Sequence, residues 1–135
     1  MIYKCTNPSC GCLTEEEAPP ALCPECGSSM REIREEEMTG RDWAALGGYW
    51  TGLRKNEKRI LYCYRMAAAK GNAWGICNLG WCMEAGVGID ADPKQAVWLY
   101  EQAAQAGYIP ALCNLAACLQ EGVGTERDID RAVEL

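Results

Sequence analysis

The sequence predicts a mainly α fold: an α-solenoid of antiparallel helix pairs with a small β ribbon at its N-terminus. Three observations point there. Motifs in the second half recur at a fixed spacing of 36 residues, which marks stacked structural repeats. Composition shifts near Gly40, from a segment rich in Cys, Pro and Glu to one dominated by Ala, Leu, Trp and Gly. Before that shift, two short cysteine turns stand where large apolar side chains are too few to form a core. The division is therefore 1–40 for the ribbon and 41–135 for the repeats, the latter as 41–72, 73–108 and an incomplete 109–135.

Bulk properties narrow the function before any motif does. The 135 residues are 49% hydrophobic and 24% charged, with a net charge of −6. No apolar run approaches the ~18 residues of a membrane span, and the opening "MIYKCTNPSC" lacks the basic-then-apolar pattern of an export signal. The expectation is a cytoplasmic protein with no membrane partner. Its ten cysteines then stand in a reducing compartment, where clustered thiols serve as metal ligands more often than as disulfides. The chain has no histidine, so Ser-His and Cys-His pairs, haem ligation and mixed His/carboxylate iron sites are out. With no phosphate-binding loop either, no enzyme is expected.

Charge is unevenly placed. Residues 1–40 carry three Lys/Arg and eight Asp/Glu (3 − 8 = −5), residues 41–70 seven and two (7 − 2 = +5), and residues 71–135 three and nine (3 − 9 = −6). The basic centre is Arg54, Lys55, Lys58 and Arg59. Attraction to the acidic first segment is the preferred account, with an anionic partner site as the alternative, so this basic region is expected to pack on the glutamates at 15–17 and 35–37. An acidic chain also argues against nucleic acid as main partner.

In the ribbon, Cys23-Pro-Glu-Cys26-Gly27 is a C-x2-C-G turn. Its thiolates converge on one ion, and glycine follows because the turn ends in a left-handed backbone conformation. The first turn offers Cys5, Cys10 and Cys12. Cys10 is followed by Gly11 as Cys26 is by Gly27, whereas Cys12 precedes Leu13. The ligand set is thus Cys5, Cys10, Cys23 and Cys26, with Cys12 spare; Cys12 in place of Cys10 is the alternative. With so little apolar material, ion binding is expected to supply the folding free energy here.

The run "YKC…CG…EEEAPPALCPECG" resembles the rubredoxin-like ribbon that follows the di-iron domain of rubrerythrins, over about the first 30 residues. The resemblance implies iron and electron transfer. Against it, the first turn is expanded to C-x4-C, Tyr3 is the one aromatic residue of the segment, and no His-containing di-iron partner exists in the chain. A structural Zn2+ ribbon is the preferred reading, with Fe and an electron carrier as the alternative.

The repeats follow. Cys77-Asn78-Leu79 returns as Cys113-Asn114-Leu115, Gly86-Val87-Gly88 as Gly122-Val123-Gly124, Cys82 as Cys118, and Ala67-Ala68 with Gly71 as Ala103-Ala104 with Gly107. Leu46-Gly47 matches Leu79-Gly80 at 33 residues, so the first copy has a shorter inner loop. Each copy reads as two helices. In the second copy one starts near Asn72 and stops at Gly86. The next is capped by Asp92, with Pro93 at its first position and Gln95 completing a capping box, and ends at Gly107. Small residues (Ala103, Ala104, Leu79-Gly80) mark close helix crossings, and Leu99 and Tyr100 fill the wider gaps. The cysteines at 63, 77, 82, 113 and 118 recur with the repeat and read as small apolar fillers.

The spacing of Leu79-Gly80, Gly86-x-Gly88, Asp92, Ala96, Tyr100, Ala103-Ala104, Gly107 and Ala111 resembles the Sel-one-like repeat, a relative of the tetratricopeptide repeat, over roughly 42–135. Leu99 and Cys63 stand where that family has tryptophan, Ala116 where it has glycine, and Asp42 where it has alanine, so the first copy reads as a cap beside the ribbon. The resemblance implies a scaffold that holds a protein or peptide in a groove lined by the first helix of each pair. Trp74, Asn78, Trp81 and Asn114 are the candidate partner-binding residues. The final copy lacks most of its second helix, which predicts a partly bare strip at Leu115, Cys118 and Leu119 and either self-association through it or a frayed last helix.

Overall fold

The structure is a computed structural model and describes residues 1–17, 20, 22–54 and 56–122. Three strands come first: β1 (Ile2–Cys5), β2 (Leu13–Glu15) and β3 (Met30–Ile33). They form one antiparallel sheet in the order β2-β1-β3, with Ile2 opposite both Glu15 and Ile33, and Lys4 opposite Leu13. Because side chains alternate along a strand, Ile2, Lys4, Leu13, Glu15 and Ile33 share one face. That face meets the helices.

Five helices follow: α1 (Gly40–Leu53), α2 (Glu57–Ala69), α3 (Ala73–Ala85), α4 (Pro93–Gln105) and α5 (Ile109–Glu121). Their starts follow capping chemistry. Thr39 and Asp42 form a reciprocal capping box on α1, at 3.2 and 3.1 Å. Asn56, Asn72 and Asp92 cap α2, α3 and α4 with side-chain oxygens. At α4 the cap is one-way, Gln95 N–H to Asp92, rather than the expected box. The link inside the first pair is residues 54–56 and inside the second 86–92, which is the shorter loop that the 33-residue spacing implies.

The helices pair as α1/α2 and α3/α4 around a repeated contact. The ring of Tyr64 covers Gly47, where an added β-carbon would stand 2.5 Å from Tyr64 Cε1, and Tyr100 covers Gly80, where it would stand 2.9 Å from Tyr100 Cε1. The sequence reading has Tyr100 filling a wider gap between helices. The structure corrects this: the ring occupies the hollow that glycine leaves, so the two form one packing unit.

Two other expectations need correction. Ile2, Leu13 and Ile33 are buried with Met38, Trp43, Ala44, Leu46, Cys63 and Ala67 in a single core cluster. The ribbon therefore shares the core of the first helix pair. Burial of each such side chain is worth ~1.5–3 kcal/mol, so a metal is not its sole source of folding free energy. At the other end, Leu115, Cys118 and Leu119 are 3%, 2% and 2% exposed, packed with Cys77, Val97 and Tyr100. The strip is not bare. The helix expected to follow α5 lies outside the described residues. Cys63, Cys77, Cys82 and Cys118 are buried fillers as expected, whereas Cys113 is exposed.

Candidate metal centre and binding face

The two cysteine turns meet beyond one end of the sheet. Cys5 closes β1, and Cys10 follows a tight turn in which its amide donates to the Asn7 carbonyl at 3.1 Å. Cys23 and Cys26 form the second turn, closed by Gly27 N–H to the Cys23 carbonyl at 2.9 Å. Gly11 and Gly27 both adopt positive φ, 67° and 76°. The matching glycines that single out Cys10 thus mark matching backbone turns.

The sulfurs of Cys5, Cys10, Cys23 and Cys26 all lie within 4.8 Å of one another. Cys5 Sγ stands 3.5 Å from Cys26 Sγ, and Cys10 Sγ 3.7 Å from Cys23 Sγ. A tetrahedral ion with metal–sulfur bonds of about 2.3 Å has sulfurs about 3.8 Å apart. Donor set and spacing therefore fit a four-thiolate metal. Cys12 is not one of the four.

Backbone amides already favour thiolates at several of these sulfurs. The Asn7 amide donates to Cys5 Sγ at 3.4 Å. The Ser28 hydroxyl brings Cys26 down to about 6. Burial opposes a low value at Cys23, but the Cys26 and Glu25 amides bring it below the usual thiol value. Burial pushes Cys5 up to about 12, the direction that a bound cation reverses.

The sheet is bolted to the helices by two ion pairs on its inner face. Lys4 Nζ meets Asp42 Oδ1 at 2.9 Å. Arg59 donates to Glu15 through Nε at 2.9 Å and Nη2 at 3.0 Å, and Nη2 also reaches Glu35 at 3.2 Å. Trp50 Nε1 donates to the same Glu15 carboxylate at 2.8 Å. The expected attraction between basic repeat and acidic ribbon runs through Arg59. Arg54 and Lys58 make no ion pair among the described residues, and Lys55 lies outside them.

On α3, Trp74, Asn78 and Trp81 follow at i, i+4 and i+7, hence on one side of the helix. Trp81 is 37% exposed. Trp74 is half-buried, with its ring edge 3.9 Å from where a Gly48 β-carbon would stand. Asn114 is half-buried, and its amide donates to Cys77 Sγ at 3.5 Å; it is tied to the neighbouring repeat. Shifting Trp74, Asn78 and Trp81 back by 33 residues gives Arg41, Ala45 and Gly48 on α1. Sequence reading passed over these three, although repeat equivalence was the signal that marks them.

A family model described as the Sel1 repeat matches residues 44–72, 75–108 and 109–135. The chain belongs to the Sel1 repeat family. Sel1 repeat proteins are typically protein-interaction scaffolds and generally non-enzymatic. Among solved structures, the chain is similar to a protective antigen present in uropathogenic Escherichia coli strains that displays an SLR fold, with TM-score 0.68 and 32% identity over 72% of this chain and 21% of that one. It is also similar to a Sel1 repeat protein from Oxalobacter formigenes, with TM-score 0.67 and 31% identity over 73% of this chain and 41% of that one. It thus spans less than half the length of either. No curated protein matches the chain. Among the described residues no helix is long and apolar enough to cross a membrane. Asp42, just ahead of the first matched repeat, caps α1 with its carboxylate and holds Lys4 of the sheet, which alanine cannot do.

Proposed function

We propose that the chain is a non-enzymatic adaptor whose Sel1 repeats, 41–135, hold a protein or peptide in a groove lined by the first helices, while residues 1–40 form a structural zinc ribbon. The observation that carries the groove is the α3 stripe of Trp74, Asn78 and Trp81, with Trp81 more than a third exposed. Aromatic side chains presented this way are the usual anchors of protein interfaces. Asn114 extends the stripe onto α5.

Zinc at Cys5, Cys10, Cys23 and Cys26 is supported by the sulfur spacing and by a donor set suited to that ion. When bound, it would fix the two turns; no chemistry is assigned to it. The iron-bearing electron carrier, drawn from the rubredoxin-like resemblance, has only the same four thiols in its favour. A reducing cytoplasmic setting suits ten unpaired cysteines. A net charge of −6 disfavours nucleic acid. Self-association through the last repeat loses its expected driving force, because Leu115, Cys118 and Leu119 are buried.

The test is quantitative capture from a cell extract on immobilised chain, with Trp81→Ala and Trp98→Ala compared with the native protein. Trp98 is the control, since it is 52% exposed on α4. Partners lost with Trp81→Ala and kept with Trp98→Ala support the groove. An unchanged partner set with Trp81→Ala removes it.

A further inference from the structure

The α1/α3 face does not end at the helices. Where it meets the ribbon there is a cleft of about 460 Å³. One wall is helical: Arg41, Ala45 and Tyr49 of α1 with Trp74 of α3; the other is the pair of cysteine turns, through Cys12 and Glu25. The hollow exists because of residue size. Ala45 and Gly48 occupy the positions that Asn78 and Trp81 fill one repeat later, and the space those larger side chains would take is left open. Its volume falls in the range of ligand-sized pockets, ~300–1,000 Å³.

Charge decides what fits. Lys4 is spent on Asp42, and Arg59 on Glu15 and Glu35. Arg41 is exposed and has no hydrogen bond or ion pair among the described residues. Its neighbour Asp42 cannot neutralise it, because that carboxylate already holds Lys4 and the Thr39 amide. A guanidinium without an ion pair at the edge of a cleft, in a chain of net charge −6, is a ready partner for a carboxylate, to which it donates paired hydrogen bonds. Beside it, the half-buried Trp74 offers an apolar ring, and Tyr49 is held in place by its hydroxyl donating to the Glu15 carbonyl at 3.3 Å. Across the cleft, Glu25 repels a second negative charge.

We infer that this cleft seats an extended segment of a partner protein that sets one carboxylate on Arg41 and an apolar side chain on Trp74, with the ribbon's cysteine turns as the far wall. The inference rests on the protein-binding reading above and gives that partner its chemistry: one acid beside an apolar residue, rather than an acidic tract. The ribbon then has a role in recognition as well as in capping the repeats.

The test uses the full chain with its metal, and two sets of short blocked peptides of the same apolar design. One set carries a single Asp or Glu, the other Asn or Gln at that place; binding is read by fluorescence anisotropy. The acidic set should bind about tenfold more tightly, the scale of a charge-assisted hydrogen-bond pair. Arg41→Gln should erase that preference, Arg41→Glu should reverse it, and Glu25→Gln should admit peptides with two acids. Arg41 is exposed, so these variants should keep native helix content and metal. Equal binding of both sets, or a preference that survives Arg41→Gln, overturns the inference. If peptides bind through Trp81 with no dependence on Arg41 or Glu25, the cleft is wrong and the groove stands. If neither set binds, the cleft inference is overturned, and the groove is judged separately by the capture experiment with Trp81→Ala.

Discussion

Replacing Arg59 by alanine should uncouple the ribbon from the repeats, and the cost can be worked from the contacts. The guanidinium makes two hydrogen bonds to Glu15 with side chains 19% and 22% exposed. A hydrogen bond to a charged group is worth ~1.5–3 kcal/mol, and this partial burial puts the pair about mid-range. The bridge to Glu35, whose side chain is 47% exposed, adds less than ~0.5 kcal/mol because solvent screens it. Stacking over Tyr62 and Trp43, at 5.2 and 5.8 Å, adds ~0.5–1 kcal/mol. The sum is about 3 kcal/mol, or a melting temperature lower by roughly 9 °C for a chain of this size. The assay is urea and thermal unfolding of Arg59→Ala, Glu15→Gln and the double variant. Trp50 Nε1 donates to the side-chain oxygen at position 15 and can do so in every variant, so the cycle isolates the ion pair, with an expected coupling of about 2 kcal/mol. A coupling below ~0.5 kcal/mol would refute the idea that this pair joins the two parts.

Other outcomes follow from the same contacts. Asp42→Asn should cost about 2 kcal/mol through the lost Lys4 pair and a weakened capping box, read by urea unfolding. Burial works against its charge, but Lys4 and the Thr39 amide bring the Asp42 carboxyl below its ordinary 3.8. The native value is thus lower than the unfolded one, so its contribution is present above about 3.8 and lost as pH falls through the native value; an Asp42→Asn variant should lack that acid-dependent component. Gly47→Ala should destabilise by ~1–3 kcal/mol, since Tyr64 is buried and cannot yield, whereas Gly52→Ala in the same helix meets nothing within 4 Å and should stabilise by ~0.5–1 kcal/mol; unchanged melting in the first would contradict the Gly–Tyr packing unit. Arg54 ends α1 at φ 52°, so Arg54→Gly should raise stability by a few tenths of a kcal/mol or more, checked by thermal unfolding.

Periodicity made the helix pairs legible, because every copy must present the same small residues to the same neighbours. Caps were equally plain: Asn72, Asp92 and Gly86 each have a short-range reason to start or stop a helix. The preference for four of the five thiols rests on Cys-Gly pairs that encode a backbone turn, and Gly11 and Gly27 do adopt it. What the chain did not disclose is long-range. Nothing near Ile2 or Ile33 says that they pack on Trp43, and nothing near Glu15 says that its partner is Arg59, 44 residues on. Nor did the 36-residue spacing reveal that Tyr100 lies on Gly80. Arg41 was hidden differently. The first copy departs from the spacing of the others by three residues, so its equivalence to Trp74 emerges only when the 33-residue shift is applied.

The most direct measurement is the metal content of the full chain, purified without added metal, in three forms: native, Cys10→Ser and Cys12→Ser. Cys10 Sγ lies against Cys23 Sγ at 3.7 Å and Cys12 stands outside the four. The account predicts one zinc per chain in the native protein and in Cys12→Ser, and none in Cys10→Ser. A red protein whose iron absorption bleaches on reduction, or zinc retained by Cys10→Ser and lost from Cys12→Ser, would contradict it.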